Sequence, residues 1–156
     1  MDDALPDNPG ILVLPPLLYL VAFLVVLGLR WLVPLRIFAS TLAPWCGLLF
    51  IVPGVAIALS GRRALAAAGT NVNPFLPANA IATKGPYRFS RNPLYVSLTL
   101  LFVGLTLATN TWWGFLALIP VLLLMHRGVV LREERYLDRK FGDTYRQYCS
   151  RVRRYL

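Results

Sequence analysis

Four long apolar runs dominate this 156-residue chain and decide the solvent in which it can fold. They cover about Ile11 to Val33, Leu42 to Ser60, Leu94 to Ala108 and Trp112 to Met125, the last continuing in mixed character to Leu131. Roughly 20 apolar residues in a helix cross a bilayer's hydrocarbon layer. Lipid accepts only helices or closed barrels, because it holds no water to satisfy backbone groups. The expected fold is therefore an all-α integral membrane protein with about four transmembrane helices, a single domain over residues 1–156. Tyr95, Trp112 and Trp113 flank the two shorter runs as interface-seeking aromatics. The hydrophobic share, 57%, exceeds the roughly 45–50% of soluble domains, so a large soluble core is the poorer explanation.

Charge supplies the orientation. The formal net charge is +9, yet of 16 Lys and Arg only Arg30 and Arg36 fall between spans one and two, and none between three and four. If loops alternate sides, the remaining fourteen share one face. The positive-inside rule then places that face, with both termini and the long middle loop, in the cytoplasm, most simply of a bacterial inner membrane. The basic excess serves topology and anionic lipid, so nucleic acid is not an expected partner. The leader MDDALPDNPG is acidic, and the first run is expected to be a mature span rather than a cleaved signal, bent or preceded by irregular chain at Pro15 and Pro16. One His and two distant Cys, with no CxxC or HExxH, leave almost nothing for a metal site. No GxGxxG follows a strand, which removes a Rossmann cofactor site.

Polar chemistry collects in two segments. Residues 61–92 are too long for a simple connector, and Val72, Phe75, Leu76, Ile81, Tyr87 and Phe89 argue that they are ordered. From Pro86 onward, Arg88, Arg91 or Asn92, and Tyr95 recur at helical spacing and are expected on one face. The arginines read equally as snorkelling anchors. Pro93 suits a first helical turn, with Asn92 as its cap. The second segment follows the last span: His126 and Glu133, and Arg127 and Glu134, are each seven apart and expected on shared faces. Gly142 reads as a helix stop and Asp143 as the cap of a final helix. There Tyr145, Tyr148, Val152, Tyr155 and Leu156 form a stripe away from Arg146, Arg153 and Arg154, an amphipathic helix expected at the membrane interface. Glu133 and Glu134 point about 100° apart on a helix and cannot share one substrate atom. One of them facing inward would suit a ligand's ammonium group; an exposed pair beside Arg132 and Arg135 would be solvated charge.

The stretches GPYRFSRNPLY and REERYLDRKFGDTYRQYCSRV, in this order and joined by a helical hairpin, resemble the isoprenylcysteine carboxyl methyltransferase family, itself related to the phospholipid N-methyltransferases. The likeness covers roughly residues 68 to 156. It implies a cytoplasmic pocket for S-adenosylmethionine, built without a Rossmann domain, and a lipid or prenylated acceptor in the membrane. It places Asn79, Ala80, Ile81 and Ala82 along the cofactor and matches Tyr87, Asn92, Pro93, Leu94 and Tyr95 to the family's R-H-P-x-Y region. Glu133 corresponds to the acidic cofactor contact. Arg127, or Arg132, is the implied partner of the acceptor's polar end, and Glu134 is the other catalytic candidate, the obvious buried base, beside the lone His126, that an amine nucleophile would need. Asn92 stands where the family has His, which removes a histidine base. The closing RVRR lacks the family's Pro, so the tail is expected to continue as helix. Carboxyl methylation is favoured, since a carboxylate nucleophile needs no base. The alternatives are N-methylation of an ethanolamine headgroup and a non-catalytic scaffold that binds anionic lipid.

Overall fold

The computed structural model describes residues 7–39 and 42–155. Pro15 and Pro16 open helix α1 (Pro15–Leu32), where a missing N–H leaves no bond unmade. Helix α2 (Ala43–Ala67) returns across the bundle and outlasts the apolar run that announced it, carrying Arg62 and Arg63 inside its last turns. After a long loop and a 3-10 turn (Gly85–Arg88), α3 (Pro93–Ala108) crosses again. The fourth crossing, α4 (Trp113–Met125), passes through a π-helical turn (His126–Val130) into α5 (Leu131–Phe141) as one unbroken helix of 29 residues. A short α6 (Asp143–Arg151) folds back. Three of these helices are long and apolar enough to span a membrane, and α3 is the shorter fourth.

The α2–α3 seam explains how thin helices hold a bundle together. Gly47, Gly54 and Gly61 recur every seven residues on α2 and all face α3. A Cβ on Gly47 would lie 2.5 Å from the Gly104 carbonyl and 2.7 Å from the Ala108 methyl; one on Gly104 would meet Ile51 at 2.6 Å. Small residues let the backbones approach, which is how helices associate where lipid removes the hydrophobic drive between them. Between α1, α3 and α4 a small core forms around Tyr19, Val26, Phe102, Val121 and Met125. Tyr19 and Phe102 meet edge-on, and the Tyr19 hydroxyl shares a 2.7 Å hydrogen bond with Thr99.

Leucines and valines of α1, α2 and α4 are widely exposed, the surface a lipid-facing bundle needs. Trp31, Trp45 and Trp112, all exposed, ring the end that carries the α1–α2 and α3–α4 connections. There Asn110, at φ +51°, accepts from the amides of Ile37 and Phe38 and so ties the two connections together. The other end carries the middle loop, residues 7–14 and the C-terminal tail up to Tyr155, the arrangement expected from four crossings.

Several local expectations are corrected. Arg88, Arg91 and Tyr95 do not share a helical face, because the chain leaves the 3-10 turn at Arg88 and Asn92 is non-helical before α3 starts. Asn92 stands at the cap position but makes no capping bond; its amide nitrogen donates instead to the Arg154 carbonyl at 3.0 Å. Asp143 is the first residue of α6 rather than its cap, which is Gly142 at φ +52°. The helix stops at Arg151, the first residue of RVRR, and does not continue through the tail: Val152 is extended, Ser90 and Arg153 pair as a parallel bridge, and the Arg91 amide donates to the Arg153 carbonyl at 2.9 Å. Those backbone groups already have partners outside a helix. Leu156 lies outside the described residues.

Candidate active site

Where α2, the middle loop, the start of α3, α5 and α6 converge, they enclose a cavity of about 520 Å³. That is within the range that takes a cofactor-sized ligand. Its loop wall is held by the chain's own polar groups. Asn71 donates to the Pro77 carbonyl at 2.7 Å, Thr70 accepts from the Asn79 amide at 3.0 Å, and Asn73 accepts from the Phe75 amide at 3.0 Å. The loop is therefore structured without regular secondary structure, as its apolar content implied.

Of the residues singled out from sequence, Ala80, Ile81, Ala82, Tyr87, Asn92, Leu94, Tyr95, Glu133 and Glu134 all line this cavity. Pro93 lies just behind the lining in the first turn of α3, and the Asn79 backbone is spent on fixing the loop. Arg127 is exposed and does not line the cavity. Arg132 donates to the Gly10 carbonyl at 2.9 Å, holding the N-terminal segment rather than the cavity.

The two adjacent acids have different surroundings. Glu133 accepts from the Tyr95 hydroxyl through Oε2 at 2.7 Å; among the described residues its Oε1 takes no hydrogen bond. Glu134 is gripped by two arginines. Arg154 donates from Nε and Nη2 in a fork at 2.8–3.1 Å, and Arg91 Nη1 lies 3.1 Å from Oε1. Burial is the strongest single influence and works against the Arg91 charge, but Glu134 together with Cys149 and Tyr145 holds the guanidinium above its ordinary pKa. Arg91 Nη1 also donates to Cys149 Sγ at 2.8 Å, while its Nε is buried without a hydrogen-bond partner among the described residues.

The π turn explains why the seven-residue pairings fail. It adds one residue to a helical turn, rotating everything beyond it by about 100° relative to an α-helix. His126 consequently meets the Tyr155 hydroxyl at 2.8 Å, while Glu133 faces Tyr95. At the same turn Gly128 presents its carbonyl to the Leu12 amide at 3.1 Å. Residues 7–14 continue along the helix, and Asp7 ends against Lys140 at 2.7 Å and the Tyr136 hydroxyl at 2.8 Å. That hydroxyl also accepts from the Ala78 amide at 3.0 Å, so one buried tyrosine joins the N-terminal segment, the cavity loop and α5.

Sequence reading missed Arg62, Arg91, Tyr145, Tyr148 and Arg154 as parts of the site. The stripe on α6 faces the cavity rather than lipid: Tyr145 is buried, and Tyr148 donates to the Tyr87 carbonyl at 2.8 Å. Burial pushes the Tyr148 phenol up to about 12, and pushes Tyr87 further, with the Glu133 charge adding to it. Both stay protonated at neutral pH.

Chemically, the arrangement offers one carboxylate oxygen without a partner, protonated phenols, and apolar walls from α2 and α3. Among known proteins, an uncharacterized protein of Haemophilus influenzae is 40% identical over 63 residues, which are 40% of this chain and 100% of that one. No solved structure matches. The family described as phospholipid methyltransferase matches residues 42–144, from the start of α2 into α6, and so takes in every wall of the cavity except the start of α1 and Tyr145 and Tyr148. The chain belongs to the phospholipid methyltransferase family of membrane methyltransferases, which includes the isoprenylcysteine carboxyl methyltransferases.

Proposed function

We infer that the protein uses S-adenosylmethionine to methylate a membrane-embedded, lipid-like acceptor, by carboxyl O-methylation of an isoprenylcysteine-type substrate. The observation that carries this reading is Glu133, with a partnerless oxygen in a cavity bounded by a polar loop on one side and apolar helices on the other. When bound, the cofactor supplies an electrophilic methyl group on a sulfonium.

In this reading Glu133 Oε1 takes the cofactor's ammonium group, and Tyr95 holds the carboxylate in place by donating to Oε2. Residues 80–82, which line the cavity, would run along the cofactor mainly through backbone, with Asn79 fixing the loop behind them. A carboxylate nucleophile needs orientation and partial removal of water, which a largely apolar cavity supplies. An amine nucleophile has to lose a proton, and the bases considered for that are engaged elsewhere. Glu134 is held by Arg91 and Arg154, and His126 lies outside the cavity lining. That difference favours carboxyl over ethanolamine methylation. In the setting expected from charge, the cavity opens at the cytoplasmic surface of a bacterial inner membrane, where soluble cofactor and lipid acceptor can meet.

Calorimetry with S-adenosylmethionine on protein in detergent, wild type beside Glu133→Gln and Tyr87→Ala, tests the reading. Micromolar binding lost in both variants supports it; no binding by wild type in detergent or lipid returns the protein to a lipid-binding scaffold. Methyl transfer to an S-prenylated N-acetylcysteine against lysophosphatidylethanolamine then separates O- from N-methylation.

A further inference from the structure

The cavity lining contains two guanidinium groups, and they are unequally engaged. Arg91 is held by Glu134 and Cys149. Arg62, among the described residues, has no ion pair and no side-chain hydrogen bond, and it is exposed. Its position is set by packing. Gly61 seats the backbone of α2 against Leu94, where a Cβ would come within 2.8 Å, and the next residue is turned away from that contact. Ala58, Arg62 and Leu65, at helical spacing, form the cavity face of α2.

Depth along α2 says what Arg62 can meet. From Ala43, at the end ringed by tryptophans, Arg62 is nineteen residues on, or about 28 Å at the α-helical rise. That is close to the roughly 30 Å of a hydrocarbon layer, so the guanidinium sits at the level of lipid headgroups. The start of α1, at Leu14 to Pro16, lines the same cavity. Helix α1 packs on α3 and α4, while α2 packs on α3 and the 3-10 turn, and the cavity is lined from both α1 and α2. A lipid entering there brings its polar group to Arg62 while its chain stays among apolar side chains.

We propose that Arg62 is the specificity-determining residue for the acceptor, receiving a carboxylate or phosphate borne by a lipid-like molecule at headgroup depth. Arg127, the residue that the family resemblance implies for this role, is outside the cavity. The proposal rests on the methyltransferase reading, which supplies the second ligand of the same cavity. A guanidinium recognises either oxyanion by paired, charge-assisted hydrogen bonds.

The test uses the full-length protein in neutral detergent, comparing wild type with Arg62→Gln. The probes are S-prenylated N-acetylcysteine, its carboxamide, and lysophosphatidic acid, with S-adenosylmethionine binding measured in parallel. Wild type is expected to prefer the carboxylate over the carboxamide by about tenfold or more, as loss of a charge-assisted contact implies. Arg62→Gln is expected to erase that preference and leave cofactor affinity unchanged. If the variant loses lysophosphatidic acid instead, the bound anion is a lipid phosphate and the proposal stands. If it retains both acceptor affinities, Arg62 is only a snorkelling anchor and the proposal fails, the methyltransferase reading remaining intact. Cofactor affinity lost in the variant would assign Arg62 to the cofactor's own carboxylate and overturn the proposal. Absence of cofactor binding by wild type would overturn the methyltransferase reading itself.

Discussion

Removing the Glu134 carboxylate should damage the cavity by unfastening it rather than by stopping a chemical step. Four contacts between 2.8 and 3.1 Å join this carboxylate to Arg154 and Arg91, and through them α5 to the C-terminal tail and the entry to α3. The Glu134 and Arg91 side chains are 14% and 15% exposed, and Arg154 is 38% exposed. Breaking a buried pair from one side costs about 3–5 kcal/mol, because the partner's charge is left behind without compensation. The Arg154 arm is partly in solvent and counts for about 1 kcal/mol or less. Glu134→Ala should therefore lower stability by about 3–5 kcal/mol and Arg154→Ala by about 1 kcal/mol or less, with the double variant less destabilised than the sum of the two. Equilibrium unfolding in mixed micelles measures all three. Cofactor binding should fall in step with stability in each variant. A Glu134→Gln protein with wild-type stability and cofactor affinity, but no turnover, would refute the reasoning and return Glu134 to the chemistry.

Three further outcomes are expected. Gly47→Leu should separate α2 from α3, since even a Cβ would approach the Gly104 carbonyl at 2.5 Å; a loss of about 1–3 kcal/mol or more is expected by thermal unfolding, whereas Gly28→Leu, with open space around it, should be tolerated. The Asp7 carboxyl is held below its ordinary 3.8 by hydrogen bonds from Lys140 and Tyr136. Its contribution to pinning residues 7–14 is therefore fully present above that value and lost as pH falls through the lower folded-state pKa; Asp7→Asn should speed hydrogen exchange at the Leu12 amide at neutral pH. Deleting one residue from the π turn should return the long helix to α periodicity, turning Glu133 from Tyr95 and abolishing cofactor binding.

Patterns that act along one helix were legible in the sequence; patterns that depend on another element were not. Four apolar runs gave four crossings, and the apolar loop residues foretold an ordered loop. The heptad of Gly47, Gly54 and Gly61 is visible in the sequence as spacing, yet only the facing Gly104 and Ala108 identify it as a seam. The π turn has no sequence mark that separates it from an α turn, so the pairing of His126 with Glu133 failed by one residue of rotation. Arg91 and Arg154 looked like solvated or lipid-bound charge because their shared partner, Glu134, is distant in the chain from both. Likewise the α6 tyrosines have the pattern of a membrane-surface stripe, and only the packing of α6 onto the cavity distinguishes the two.

The divergence of Glu133 and Glu134 follows from their adjacency. Successive residues on a helix point about 100° apart, so two neighbouring acids at the end of a span necessarily face different surroundings. One direction leads into the cavity, where Tyr95 supplies a donor and leaves an oxygen for a ligand. The other leads toward the tail, where two guanidiniums pair with the charge at the cavity wall. Exchanging those surroundings would be self-defeating, because a carboxylate paired with Arg91 and Arg154 has little attraction left for an ammonium group, and without a carboxylate between them the two guanidiniums would repel each other. The pair thus works by division: Glu134 spends its charge closing the wall, so that Glu133 can keep its own for what the wall encloses.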